Sequence, residues 1–438
     1  MIEIFNIFFL LGTFFLIFSF PLNNIYLKKK LIKYDLNIFE IYSFNILFLL
    51  TVCFFLSFFK LNIFNIFLYI FSLAFLNLFF FDWKIFTNKI TLIIILFLFL
   101  LTYSLEISTY PYLEWDAAVN WIFKALNFKS NYAFENLKNV YGYIAYPHLG
   151  TYLWALFWEA SFVDYEYTGR LVFVFIYLIG FFALVDNLKI TTINKCLALI
   201  IIITICFDRI LINGYQEPLM FSMCIIFMIL LEKIIYNKNL YLSYLLLILC
   251  ANLILWIKNE GMLILIFLSF FILLKKEFSF KNKIILFSIF IILILIKKNI
   301  YLSFLDEFYF GWKGYEFLKI SELFSYNILQ RLPFLLFQIC ISMIKYPIYL
   351  LFIACMLITL IKERSIMNNL SYIVFFFLNM AMAMSIFYVT TDLNWKFHAK
   401  VGLDRMLYQT SGVYLFFILK FFKDFLFDRQ IGKHKINQ

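Results

Sequence analysis

Apolar runs of roughly twenty residues succeed one another along this chain, each closed by a short cluster of charged or polar residues. An α-helix rises 1.5 Å per residue, so about twenty apolar residues cover a hydrocarbon layer ~30 Å thick. Water satisfies no peptide group inside that layer, whereas a helix bonds its own. A chain built this way is expected to be an all-α polytopic membrane protein. Hydropathy places candidate spans near 3–22, 38–59, 61–81, 90–109, 170–188, 196–212, 218–236, 240–257, 261–274, 284–303, 333–361, 370–390 and 407–422, about 13 in all. The run 333–361 is long and is interrupted by Pro347. Composition agrees, with 65% hydrophobic and only 14% charged residues, where soluble domains carry about 25% charged.

The net charge of +11 is divided among short clusters between the apolar runs. That is the pattern of cytoplasmic loops, with membrane lipid as the expected surroundings and no nucleic acid as partner. The cysteines at 53, 196, 206, 224, 250, 340 and 355 form no CxxC pair, so neither a disulfide framework nor a thiolate metal cage is indicated. The first run has no basic n-region and no small-residue cleavage site, and is expected to remain as a span.

One segment, "YPHLGTYLWALFWEASF" (146–162), is apolar but short, and carries His148 and Glu159. If it does not cross, Lys28–Lys30 and Lys33, Lys84 and Lys89, Lys189 and Lys195, Lys233 and Lys238, Lys275–Lys283 and Lys362–Arg364 all face one side. The positive-inside rule therefore favours a segment that dips or lies flat at the outer surface, provided 333–361 crosses once. The outer side then receives five polar stretches: "LEWDAAVNW" (113–121), "NGYQEPL" (213–219), "KNEG" (258–261), the segment 306–331, and "TTDLNWKFHAKVGLDR" (390–405).

The first of these continues as "WDAAVNWIFKALNFK". On a helix, Asp116, Asn120, Lys124 and Asn127 share a face, with Ala118, Ile122, Ala125 and Leu126 largely on another. Trp115 and Trp121 suit an interface. Two readings stand: an interfacial anchor with a solvated polar face, or an acidic edge for chemistry. Glu217 before Pro218 is either a favourable helix N-terminal acid or a site residue. Glu260 is expected to pair with Lys258, and His148 to be a surface histidine or an acceptor contact. Arg405 stands at a span entrance, where a guanidinium suits phosphate.

The order of a span, an outer loop opening on an acid, flat helices and the Tyr-Pro-led segment resembles the GT-C membrane glycosyltransferases. The likeness is to bacterial members related to protein O-mannosyltransferases and lipid A aminoarabinose transferase. "NGYQEPLMF", "WIKNEGMLIL" and "GLDRMLYQTSGVYLFF" are similar to short motifs of that family in the same order. The family's acidic motif is here Glu-Trp-Asp, and more spans precede it than in many members.

The resemblance implies a GT-C-like bundle of about 13 transmembrane helices with an outer juxtamembrane helix loop. It would have N-terminal spans over 1–89 and a catalytic module over 90–438 whose outer loop is 110–165. It further implies a multi-pass protein of the cell's inner (plasma) membrane with its active site facing the periplasm or exterior. Its donor would be a polyprenyl-phosphate sugar and its acceptor a lipid, glycan or protein; a divalent metal ion occurs in part of the fold class. Asp116 or Glu114 would be the catalytic carboxylate. Lys258, Arg405, Glu217, Lys124, His148 and Glu260 would be substrate-binding. Three alternatives remain. A flippase or transporter of lipid-linked sugars would carry inverted repeats and mid-span charge. An O-antigen ligase or polymerase would carry a large basic outer loop. In a structural subunit Asp116 is only a helix cap.

Overall fold

The computed structural model describes residues 2–27, 36–140, 146–236, 241–306, 318–363, 369–390 and 394–436. Lys28–Lys30, Lys33, Lys238 and Arg364 of the loop-charge argument lie outside them. The first half of the chain forms α1 (Ile2–Ile17), α2 (Ile38–Leu56), α3 (Ile63–Asn77), α4 (Ile90–Thr109), α5 (Ile122–Lys129), α6 (Leu149–Glu159), α7 (Tyr167–Asp186) and α8 (Thr192–Cys206). The second half forms α9 (Glu217–Tyr236), α10 (Tyr241–Ile257), α11 (Gly261–Leu274), α12 (Phe280–Leu305), α13 (Arg331–Lys345), α14 (Ile348–Glu363), α15 (Leu370–Tyr388) and α16 (Trp395–Ile436). Short 3₁₀ turns join them, and the β-structure among the described residues is one isolated antiparallel bridge, Asn24–Phe81.

Among the described residues, eight helices are long and apolar enough to cross a membrane, and five shorter apolar helices accompany them. The expectation of a polytopic helical membrane protein holds in that form. α7 is buried along its whole length, between α2, α4, α6 and α9. α9 packs in turn on α10 and α16. One continuous apolar core runs from Ile7 to Leu419, so the helices of 1–89 and those of 90–438 share it.

Ion pairs gather at both ends of the bundle. At one end Lys89 and Lys195 both bind Asp186, at 2.7 and 2.8 Å, and Lys233 binds Glu40 at 2.8 Å. Glu40 also closes a capping box with Asn37 at the start of α2. The opposite end, here termed the loop face, gathers α5, α6 and the polar stretches around 114, 213–217, 258–260, 331 and 404–405, linked by the bonds described below. His148, before α6, meets Ser57 at the loop-face end of α2, and Glu159, at its other end, faces Lys129 of α5 at 3.3 Å. At 11 residues, or about 16 Å, α6 is also too short to cross.

The run 333–361 is two helices and not one span. Arg331 donates to the carbonyls of Phe387, Tyr388 and Thr390 at the end of α15. Lys345, at the other end of α13, binds Asp208 and Asp404. Both ends of α13 therefore sit at the loop face, and α14 alone leads away from it. Tyr346 and Pro347 make the corner. α16 has 42 residues, about 63 Å, and starts well before the expected span at 407.

Candidate functional site

Two backbone devices shape the loop-face site. Residues Ala117–Trp121 form a π turn, with the Ile122 N–H reaching back to the Ala117 carbonyl. Such a turn adds a residue to the helical repeat and occurs often at functional sites. It separates Asp116 from the side chains after it: Asn120, Lys124 and Asn127 are buried, so the expected solvated polar face is an inward one. Trp121 is buried as well and does not anchor the helix at an interface, whereas Trp115, Phe123 and Leu126 are exposed. The reason is tertiary: α5 packs on α6, and the side chains that can find polar partners are the ones turned inward. Arg170 is the second device. Its Nη1 donates to the carbonyls of Tyr112 (3.0 Å) and Ile212 (2.6 Å), and its Nη2 to Glu166 (2.7 Å). One buried guanidinium thus ties together the two loops that lead into Asp116 and Glu217. Sequence reasoning missed Arg170, although its i,i+4 spacing from Glu166 was a visible signal.

The centre of the site is a chain of ion pairs. Arg405 donates from Nη1 to Asp116 Oδ2 at 2.5 Å and from Nε to Glu217 Oε1 at 2.6 Å. The same Glu217 oxygen takes Lys258 Nζ at 2.7 Å, and Lys258 lies 3.7 Å from Glu260. The ring of Tyr215 lies 4.1 Å from the guanidinium carbon, a cation–π contact that fixes its plane. Exposure falls from the Asp116 side chain at 27% to Arg405 at 14% and Glu217 at 0%, so the chain leads inward from a reachable carboxylate. Glu217 opens α9, and its burial with two cations adds to the expected role as a helix N-terminal acid.

An open cleft of about 560 Å³ borders this chain, lined among others by Glu114, Asp208, Arg209, Tyr215, Lys345, Lys400, Asp404 and Arg405. Glu114 is held by its backbone, which donates to the Asn213 carbonyl. Gly214 beside it has φ of +82°, the left-handed region that glycine enters without cost. Asp404 accepts from Ser342 (2.5 Å) and Lys345 (2.8 Å), and Asp208 from Tyr346 (2.8 Å). These bonds fasten the end of α13 to the cleft wall. Burial pushes the Tyr215 hydroxyl up from its ordinary range, partly offset by Arg405, so it stays a donor at neutral pH.

Lys124 and His148 are elsewhere. Lys124 donates to the Tyr146 carbonyl, and its ammonium, like that of Lys297, stands over aromatic rings. His148 is fully buried against Phe134 and Trp256, not a surface histidine. The Ser57 hydroxyl donates to the Phe54 carbonyl, so His148 Nε2, 2.8 Å from Ser57 Oγ, is the donor of that pair. Burial pushes the pKa of both Lys124 and His148 well down; Lys297 adds to the effect on Lys124, and Lys124 and Lys297 to that on His148. A histidine whose folded pKa is depressed leaves stability intact above the unfolded value and loses it as pH falls below about 6.5. His148→Gln is therefore expected to flatten the acid side of the pH profile of thermal unfolding in detergent between pH 7 and 5.

The "KNEG" turn places Lys258 by a close approach. A Cβ on Gly261 would lie 2.1 Å from the Ile254 carbonyl oxygen. Gly261→Ala is expected to cost about 1–3 kcal/mol through overpacking, read as a lower thermal midpoint of the purified protein.

Among the described residues no three His, Cys, Asp or Glu side chains gather as a metal site. The carboxylate oxygens that meet at the centre of the site, Asp116 Oδ2 and Glu217 Oε1, are held by Arg405 and Lys258. The donor set does not fit the divalent ion that the family resemblance allowed. Comparison of the chain with protein-family models, curated proteins and solved structures returned no match. The functional reading therefore rests on the motifs and on the geometry above.

Proposed function

We propose that this protein is a GT-C-type glycosyltransferase. It moves a hexosyl or pentosyl unit from a polyprenyl-phosphate donor to a lipid, glycan or protein acceptor at the outer face of the inner (plasma) membrane. The observation that carries the reading is the meeting of Asp116 and Arg405, 289 residues apart in sequence, at the edge of a cleft on the loop face. A donor with its tail in the bilayer would present its sugar to a cleft of this kind.

In this reaction the acceptor oxygen attacks the anomeric carbon, and the bond from that carbon to the phosphate oxygen breaks. The electron pair leaves with the phosphate, and the acceptor proton passes to Asp116, the general base. Arg405 orients that carboxylate and stabilises the charge that grows on the leaving phosphate. Glu217 and Lys258 hold Arg405 in place. Glu114, on the cleft wall, is the second carboxylate in reach of an acceptor. Asp116, Glu217, Lys258 and Glu260 stand at helix termini and Arg405 in the part of α16 that precedes the expected span at 407, an arrangement that favours surface chemistry over a transport path.

The test uses purified protein in proteoliposomes with a radiolabelled polyprenyl-phosphate sugar and a membrane extract as acceptor source. New labelled glycoconjugate that depends on the protein supports transfer. Movement of intact donor between leaflets without new product supports a flippase and overturns the proposal.

A further inference from the structure

α15 starts at the end of the bundle opposite the loop face, since its last residues receive Arg331 at that face. Its first turn is uncapped. Asn369 stands at the N-cap position, but its side chain makes no capping bond. Asn369 Nδ2 and Ser371 Oγ, both at this helix end, are buried with no hydrogen-bond partner among the described residues. Ser371 is 2% exposed and Asn369 9%. The N-terminus of a helix of 19 residues carries partial positive charge and unbonded N–H groups, which suit an anion.

Lys275, directly after α11, stands against the same turn. Its ammonium lies 4.7 Å from the ring centroid of Tyr372 and 5.1 Å from that of Phe271. Those two rings meet edge to face at 4.8 Å, and Tyr372 packs on Phe417 of α16 at 4.6 Å. The aromatic corner holds the ammonium in place, and Lys275 is 7% exposed. Among the described residues it has neither an ion pair nor a hydrogen bond. Lys420 of α16 adds a second cation, held by the hydroxyl of Tyr236 at 3.5 Å and by its ring. Burial, and after it the charge of Lys420, push the Lys275 ammonium down to about 8, against the pull of Glu277.

Glu232, Glu277 and Asp424 are near the Tyr372 ring. They are half-buried or exposed, where water and salt screen them, and among the described residues none pairs with Lys275 or Lys420. Two cations and a helix N-terminus thus converge with no anion bonded to them, a costly arrangement for a buried ammonium. At the same end of the bundle Phe270 of α11, Phe280 of α12 and Phe422 of α16 are exposed, an apolar flank that acyl chains would cover. A phosphate carried on acyl chains answers both features. A headgroup with its own cation would bring a third positive charge into the site.

We propose that Lys275, Lys420 and the uncapped start of α15 bind the headgroup phosphate of an anionic phospholipid, on the side of the membrane opposite the loop face. This site is separate from the loop-face cleft and independent of the glycosyltransferase reading.

The experiment is native mass spectrometry of the full-length protein released from nanodiscs holding equal amounts of phosphatidylglycerol and phosphatidylcholine. Wild type is compared with Lys275→Gln and with Lys276→Gln, which removes the same charge from the exposed neighbouring residue. Wild type is expected to retain phosphatidylglycerol in preference. Lys275→Gln should lower that retention about tenfold, the order expected for a lost charge-assisted hydrogen bond. Lys276→Gln should stay within about twofold of wild type, as an exposed charge does. Equal retention of the two lipids by wild type, or equal loss in the two variants, overturns the proposal. A second measurement needs no variant: the thermal midpoint of wild type in detergent with added phosphatidylglycerol, phosphatidylcholine or inorganic phosphate. A rise with phosphatidylglycerol alone is expected. An equal rise with inorganic phosphate assigns the site to a soluble anion and overturns the lipid assignment, and no rise with any of the three overturns the site.

Discussion

Replacing Arg405 by methionine is expected to destabilise the protein by about 3–5 kcal/mol, the usual cost of removing one partner from a buried ion pair. The partner left behind is Glu217, whose side chain is fully buried and whose Oε2 already has no hydrogen bond. Lys258 would remain as its one close cation. Methionine matches the apolar length of arginine but has no charge to return, so the loss isolates the electrostatic part. Arg405→Lys keeps the charge but cannot reach Asp116 and Glu217 together through two nitrogens. It should recover part of the stability and little of the transfer. Thermal unfolding in detergent, run beside the activity assay, separates the two effects.

Asp116→Asn should have the largest effect on activity and a small one on stability. Asp116 is the most exposed member of the ion chain, at 27%, and asparagine can still accept a hydrogen bond from Arg405 Nη1. What it cannot do is take a proton from the acceptor. Loss of a general base typically costs a factor of about 10²–10⁴. Glu114→Gln provides the contrast. Glu114 lines the cleft but is placed by its backbone and, among the described residues, makes no bond to Arg405, so its loss should weaken acceptor use without abolishing turnover.

The helical bundle was legible in the sequence because apolar runs near twenty residues long leave few options in a bilayer. The described parts of the polar stretches, around 114, 213–217, 258–260, 331 and 404–405, gather at one end in agreement with the loop-charge argument, and α6 in 146–162 is too short to cross. The interior of the site was less legible. Helical phasing grouped Asp116 with Lys124, but the π turn at 117–121 and the packing of α5 on α6 send them to different places. A period assumed from 3.6 residues per turn cannot anticipate an inserted residue. Trp121 and His148 looked like surface groups because their partners, Tyr146 for one and Ser57 and Phe134 for the other, come from segments that only tertiary structure brings near. Arg170 and Asp208 went unremarked because each is ordinary locally and acts by bridging segments distant in sequence. α13 shows the same limit: its apolar content suits a span, while the anchors at Arg331 and Lys345 keep both its ends at the loop face.

The claim that matters most is that Asp116 removes the acceptor proton. The direct measurement is sugar transfer from a polyprenyl-phosphate donor by purified Asp116→Asn protein, at saturating donor and with its thermal midpoint matched to wild type. Transfer reduced by about a hundredfold or more, with donor affinity retained, is the predicted result. Transfer within about threefold of wild type would contradict the account and leave Asp116 as a structural partner of Arg405 alone.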